Sequence, residues 1–213
     1  MKMDIGSFTA TQLIHPNEKI FVATGTTAAV VGIEVLARNP SVRAFTHSVP
    51  FAWHFMEFVY RGLVGPAAGM EIVDGLINPV TGMIENSLPP KIPSDVFLYS
   101  PHGVNDFAIT GNRDVEFLKF AMKRHSRVLF LATHSKLLRE GSKIVKHVGH
   151  IEKEIGSGRR TYEIVVPQRC NRELKDEETA LVTKTISALK NVGVVVHRAP
   201  AYKESVWVDS IPS

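Results

Sequence analysis

Cysteine is almost missing from this chain: Cys170 stands alone among 213 residues. One thiol cannot close an intrachain disulfide, and a zinc site built on several cysteines is excluded by count. A lone cysteine fits a reducing compartment. Long apolar runs are missing too. The longest, such as residues 128–132, fall far short of the ~20 residues a membrane-spanning helix needs. The opening Met1-Lys2-Met3-Asp4 leads into polar Gly6-Ser7 rather than an apolar segment, so no secretory leader is expected. These absences predict a soluble cytoplasmic protein with no membrane partner.

Charge of one sign does not dominate. The formal net charge is +4. A balance of that size suits the steering of an anionic metabolite or nucleic acid, or simply solubility. Nine histidines are present, but none forms a His-Glu-x-x-His pattern. His47/His54 and His147/His150 are merely near each other, so no metal is expected, and no cofactor signature appears. Internal repeats and low-complexity tracts are also lacking.

What is present is an ordinary globular composition. The hydrophobic share of 44% and charged share of 22% exclude global disorder. The length suits one domain spanning residues 1–213 with a core of its own.

Short apolar runs alternate with amphipathic stretches. Strands are expected at residues 20–23, 42–46, 70–73, 95–100, 128–132, 162–166 and 194–197. Helices are expected at 28–38, 50–60, 114–125 and 176–191. Asn39-Pro40 should stop the first of these, and Pro50 suits the first turn of the second. Residues 76–93 carry four prolines and read as mostly irregular with one short helix. Residues 141–148 read as a short helix or turn, and 152–161 as an exposed loop. The repeated strand–helix order predicts an α/β fold with a doubly wound, mainly parallel sheet. Ligands of such sheets bind beyond the carboxyl ends of strands, where helix N-termini point their N–H groups.

Three segments follow predicted strands and share hydroxyl chemistry: Thr24-Gly25-Thr26-Thr27, Thr46-His47-Ser48 and Thr133-His134-Ser135-Lys136. The first opens straight into a helix. A phosphate there would meet the helix dipole and backbone N–H donors, with glycine allowing close approach. The alternative is that Thr26 and Thr27 only cap the helix. Lys136 is the cation among these loops, a phosphate partner or a solvated surface lysine. After the strand at 95–100 comes His102-Gly103-Val104-Asn105-Asp106, with His102 as a polar contact or an acid–base group, Asn105 as a ligand contact and Asp106 as a candidate general base.

In order, these segments resemble the effector-binding domain of the DeoR family of sugar-responsive bacterial repressors. That domain is related to ribose-5-phosphate isomerase, glucosamine-6-phosphate deaminase and coenzyme A transferases. The resemblance lies in FVATGTTAAVVGIEVL, RAFTHSVPFAWHF, DVFLYSPHGVND, RDVEFLKFAMKRHSRVLFLATHSKLLREG, YEIVVPQ and LKNVGVVVHRA, covering residues 9–199. It implies that Gly25, Thr26, Thr27, Ser48, Gly103 and Lys136 line a sugar-phosphate pocket. Asp114 stands near an acidic residue at the start of a family helix. Thr133, His47 and His102 occupy places where the family carries Asp, Asn and Asp, and the family's Gly-Gly pair is reduced to Asp74-Gly75. The helix-turn-helix of such repressors has no counterpart before residue 18, so direct sequence-specific DNA reading is not expected.

The resemblance and the missing acidic groups together imply a stand-alone sensor domain, transcription-related, taking a phosphorylated sugar or similar metabolite. A protein partner and self-association into a homo-oligomer belong to that expectation. The alternative is a sugar-phosphate isomerase or deaminase-like enzyme with Asp106 or Asp114 as the enolising base. A nucleic-acid-associated subunit, suggested by the basic balance alone, ranks third.

Overall fold

The structure is a computed structural model that describes residues 1–73, 75–78, 83–85, 94–104, 108–110, 125–138, 147–150, 160–170 and 172–202. Seven strands form one parallel sheet: β1 (Lys19–Val22), β2 (Arg43–Thr46), β3 (Gly69–Ile72), β6 (Val96–Tyr99), β9 (Arg127–Leu131), β11 (Thr161–Pro167) and β12 (Val195–Ala199). Their spatial order is β12-β11-β9-β6-β1-β2-β3, and every adjacent pair is parallel. The chain therefore winds outward from β1 through β2 to β3, then returns to β6 on β1's other side. The expected doubly wound α/β fold is what forms, with its topological switch point between β1 and β6.

Alternate residues of each strand enter opposite layers, as the two-residue period of a strand requires. Phe21, Phe97, Tyr99, Phe130, Tyr162 and Ile164 belong to one core, together with Val182, Ile186 and Leu189 of a long helix at Asp176–Asn191. Ile20, Val22, Leu98, Leu129, Leu131 and Val165 belong to the other, under α1 (Lys2–Phe8), α2 (Thr26–Arg38) and α3 (Val49–Tyr60). Because both faces are covered at the centre of the sheet, β1, β6 and β9 read as continuous apolar runs, while the edge strands β3 and β12 stay partly exposed. Each large side chain fully buried this way contributes about 1.5–3 kcal/mol.

Aromatic rings bind the first layer across strands. Phe21 meets Phe97 at 5.5 Å between centroids, Tyr99 meets Phe130 at 6.2 Å, and Phe130 stacks on Tyr162 at 6.1 Å. Burial raises the Tyr99 phenol above its ordinary range. His125 packs on Phe97 and hydrogen-bonds Ser94.

The structure departs from expectation in several places. α1 was not foreseen; it continues as a π-helical turn over Thr9–Leu13. Gly6 and Ser7 disguise it, yet both are buried. A β-carbon at Gly6 would lie 2.9 Å from Glu34 Cγ of α2, so glycine is what lets the two helices meet. The described part of 76–93 is a pair of antiparallel strands, β4 (Leu76–Asn78) and β5 (Met83–Glu85), rather than irregular structure. Its prolines hid two short strands.

Residues 134–137 form one helical turn, α4 (His134–Leu137), instead of a loop, because His134 and Leu137 are both drawn into the interior. Residues 147–150 form β10 (His147–His150), which pairs with β8 (Ala108–Thr110), and β8 pairs with β7 (Gly103–Val104). A strand thus replaces the end of the helix or turn expected at 141–148. Residues 114–124 of the helix expected over 114–125, residues 152–159 of the loop expected over 152–161, and Asp74 lie outside the described residues, while Thr161 already belongs to β11.

The helix at Asp176–Asn191, α5, matches its expected bounds. Asp176, Glu177 and Glu178 fill its first turn, where the dipole favours anions. The Lys175 N–H donates to Glu178 Oε2 at 3.1 Å, and Arg172 pairs with Glu178. The Arg172 bond first, and the Lys175 N–H second, hold the partly exposed Glu178 carboxyl down at about 2. Among the described residues no helix is long and apolar enough to cross a membrane.

Candidate functional site

β1, β2, β6 and β9 run parallel, so the segments leaving them gather at one end of the sheet. There the switch point places Gly25, after β1, against Ser100, after β6. Gly25 is the N-cap of α2 and has φ +113°, a left-handed conformation that glycine takes without strain. A β-carbon on it would come 3.4 Å from Ser100 Cβ. No side chain caps this helix start. The first-turn N–H groups of an α-helix have no acceptor within the helix, so they face whatever occupies the turn.

Thr26 and Thr27 do not act as caps, which corrects the capping alternative; their hydroxyls meet two lysines. Lys2 Nζ, from α1, donates to Thr26 Oγ1 at 2.8 Å. Lys136 Nζ, from α4, donates to Thr27 Oγ1 at 3.5 Å and to Ser100 Oγ. Thr26 is exposed and Thr27 buried, while Lys136 is half-buried. Two ammonium groups and the positive end of a helix dipole therefore converge on one turn. Among the described residues, the segments leaving β1, β2, β6 and β9 supply hydroxyls, imidazoles and Lys136 but no carboxylate. The turn is suited to hold an anion.

The second strand end is used differently. Thr46 is fully buried; its hydroxyl donates to the Val22 carbonyl at 2.8 Å and accepts from the Ser48 N–H at 2.9 Å, tying β1 to the start of α3. His47 is 1% exposed and stacks on Phe21 at 5.4 Å between centroids. Burial holds its imidazole down at about 3, so it is neutral at physiological pH. Ser48 caps α3, its side chain accepting the Phe51 N–H at 3.3 Å. Of these three residues, only Ser48 reaches the cleft described next.

A cleft of about 310 Å³ opens between the starts of α2 and α3. Thr24, Gly25, Thr26 and Ser48 line its strand-end side, and Ala29, Val30, Pro50 and His54 line its helix walls. Two helix N-termini thus flank one cavity of ligand-pocket size.

Elsewhere, His102 is exposed and Gly103 is buried within β7. Thr133 and Ser135 share a hydroxyl–hydroxyl bond of 3.0 Å. His134 is buried; desolvation, and secondarily the Arg198 charge, lower its imidazole below the ordinary value. Asn105, Asp106 and Asp114 lie outside the described residues. Among the described residues no group of three or more His, Cys, Asp or Glu is placed to hold a metal ion.

Sequence reasoning missed Lys2, Ser100 and the cleft-lining Ala29, Val30, Pro50 and His54. Ser100 had a usable signal, a hydroxyl at the end of a strong strand beside the switch point. Lys2 had none, because it belongs to the helix that was not foreseen.

No protein-family model matches the chain, and no curated sequence does. Similar solved structures include ribose 5-phosphate isomerase A from Methanocaldococcus jannaschii, at 15% identity and TM-score 0.45, covering 63% of this chain and 52% of that one. The same enzyme from Neisseria gonorrhoeae is similar at 15% identity and TM-score 0.42, with coverages of 63% and 52%. eIF2B beta from Chaetomium thermophilum is similar at 14% identity and TM-score 0.47, with coverages of 67% and 40%. The chain spans about half the length of the isomerases it matches. Likenesses this loose carry no argument about function; the class of the protein, a doubly wound α/β domain, stands on its own strand order.

Proposed function

We propose that this chain is a sensor-type binding domain that takes a small phosphorylated metabolite, a sugar phosphate or similar compound, at the Gly25-Thr26-Thr27 turn. The observation that carries this function is the meeting of Lys2 and Lys136 with the Thr26 and Thr27 hydroxyls at the uncapped start of α2. Phosphate oxygens would replace those hydroxyls as the lysines' acceptors and would add the first-turn N–H groups. The described residues of the strand-end segments are hydroxyl-, imidazole- and lysine-bearing, a composition that favours holding a ligand over moving its protons.

A regulatory role, transcription-related by the DeoR-type motifs, completes the proposal. Its setting is the cytoplasm, and its output goes to a protein partner. Association with a second copy of the chain belongs to it as well. Trp53, Met56 and Tyr60 recur at helical spacing on α3 and are 66%, 54% and 93% exposed, an apolar stripe of the kind that marks protein contacts.

The test is a thermal-shift panel of sugar phosphates, other phosphomonoesters and their unphosphorylated parents. A ligand at 100 times its dissociation constant adds about 2.7 kcal/mol. For a chain of this size that raises the melting temperature by about 5–10 °C. Shifts confined to the phosphorylated compounds support the proposal; no shift with any of them at millimolar concentration removes it.

A further inference from the structure

Under the proposed function, two ligand classes are open: a polyol phosphate, or a phosphate ester whose organic half is apolar. The cleft separates them. Its polar residues Thr24, Thr26 and Ser48 gather at the strand ends, where both helices begin. One helical turn further along α2, at the third and fourth positions after Thr26, the wall is Ala29 and Val30. One turn along α3 from Pro50, the facing wall is the His54 ring. His54 Nδ1 lies 3.6 Å from Glu57 Oε2. Most of the cleft's exposed wall is apolar.

A polyol entering this cleft would bring several hydroxyls against Ala29, Val30 and Pro50. Each would lose water and gain no partner there, which opposes binding. A flat or branched apolar group would lose little hydration and would cover carbon with carbon. The narrow volume fits one ring or short chain attached directly to the phosphate.

We infer that the cleft between α2 and α3 receives the organic half of a phosphomonoester and that this half is apolar, an aryl or alkyl group. The inference rests on the phosphate seat at Gly25-Thr26-Thr27 proposed above. Ala29 and Val30 form one side of the subsite, and Pro50 and the His54 ring form the other.

The experiment is calorimetric titration of the full chain with phenyl phosphate, ribose 5-phosphate and inorganic phosphate, using wild type and Ala29→Leu. In wild type, phenyl phosphate should bind at least about 10-fold more tightly than either other probe, the scale on which a small apolar group is distinguished in a fitted pocket. Ala29→Leu fills the cleft while keeping a good helix former, so it should erase that advantage, bringing phenyl phosphate to the affinity of inorganic phosphate in the same variant. Retained phosphate binding also reports that the variant is folded. Ribose 5-phosphate binding as tightly as phenyl phosphate, or an undiminished phenyl advantage in Ala29→Leu, overturns the inference and spares the phosphate seat. Failure of all three probes with wild type overturns the seat and the inference together.

Discussion

Gly32 of α2 presses against the ring of Phe51 of α3 so closely that a β-carbon at position 32 would lie 2.7 Å from Phe51 Cε2 and 2.9 Å from Cζ. Val22 Cγ2 would be 3.1 Å away on the sheet side. Phe51 is fully buried, so its ring has nowhere to retreat. This contact sets the spacing of the two helices that wall the cleft. In a free helix, Gly→Ala stabilises by about 0.5–1 kcal/mol. Here overpacking costs about 1–3 kcal/mol and wins. Gly32→Ala should therefore lose about 1–2 kcal/mol in urea denaturation. A variant more stable than wild type would show that α3 can move aside freely.

Lys136 and Lys2 differ in setting, and the difference predicts unequal effects. Lys136 is half-buried and bonded to Thr27 and Ser100, so its charge is less screened. Lys136→Ala should weaken binding of a phosphomonoester by about 10–100-fold, the range of a hydrogen bond to a charged group. Lys2 is exposed, and Lys2→Ala should cost only about 2–5-fold. The Lys2 contribution should shrink between low salt and about 0.5 M salt, while that of Lys136 persists. Titration calorimetry at both ionic strengths checks this. Equal losses in the two variants would mean that the half-buried lysine does not seat the anion.

Much of this architecture was legible in the residues. The central strands β1, β6 and β9 are apolar on both faces because both faces are covered, and such runs, with shorter ones at the edges, located all seven strands of the sheet to within a residue or two. α5 was read to its ends because its acidic first turn and Gly193 mark both termini. What escaped notice depends on distant partners. Gly6 argues against a helix locally, and only its fit to Glu34 explains why α1 forms. Gly25-Thr26-Thr27 and Lys136 were visible as loop chemistry after strands. Lys2 and Ser100 join them only because the fold brings together positions 24 and 75 residues from Thr26 and Gly25 respectively. The roles of Thr46 and His47 were invisible for the converse reason. They look like ligand contacts in sequence but spend their polar or aromatic surface inside the core.

A polar knot lies away from the turn. Glu163 of β11 is 6% exposed. It accepts from Arg127 Nε at 2.8 Å and meets His197 Nε2 at 2.6 Å. Arg127 also donates to Glu18 Oε1 at 3.3 Å and to the Leu13 carbonyl at 3.0 Å. The knot ties β9, β11 and β12 to the segment that follows α1. Removing one partner of a buried pair costs about 3–5 kcal/mol, reduced here because Arg127 keeps some solvent contact. Glu163→Ala should thus lose about 2–3 kcal/mol and melt about 4–12 °C lower. Glu163→Gln, which keeps one acceptor, should lose less. Phosphate affinity should not change in either, since the knot does not touch the Gly25 turn. Melting within a degree of wild type for Glu163→Ala would show that the knot contributes little to holding the strands.

His47 predicts how stability responds to acid. Its imidazole is neutral in the fold, held at about 3 by burial, while the unfolded chain carries the ordinary value of 6.5. Between those values the unfolded state binds one more proton than the folded state. Stability therefore rises with pH across that window. It is complete above about pH 6.5 and falls by up to about 1.4 kcal/mol per unit as acid is added. By about pH 5 this one residue should have cost about 2 kcal/mol. His134, also lowered by burial, pulls in the same direction. Urea denaturation of wild type and His47→Asn between about pH 7.5 and pH 5 separates the terms. The variant starts from a lower baseline, because it gives up the stack on Phe21, but its slope should be shallower by about 1 kcal/mol per unit below about pH 6. An equally steep decline in His47→Asn would assign the acid sensitivity to other groups.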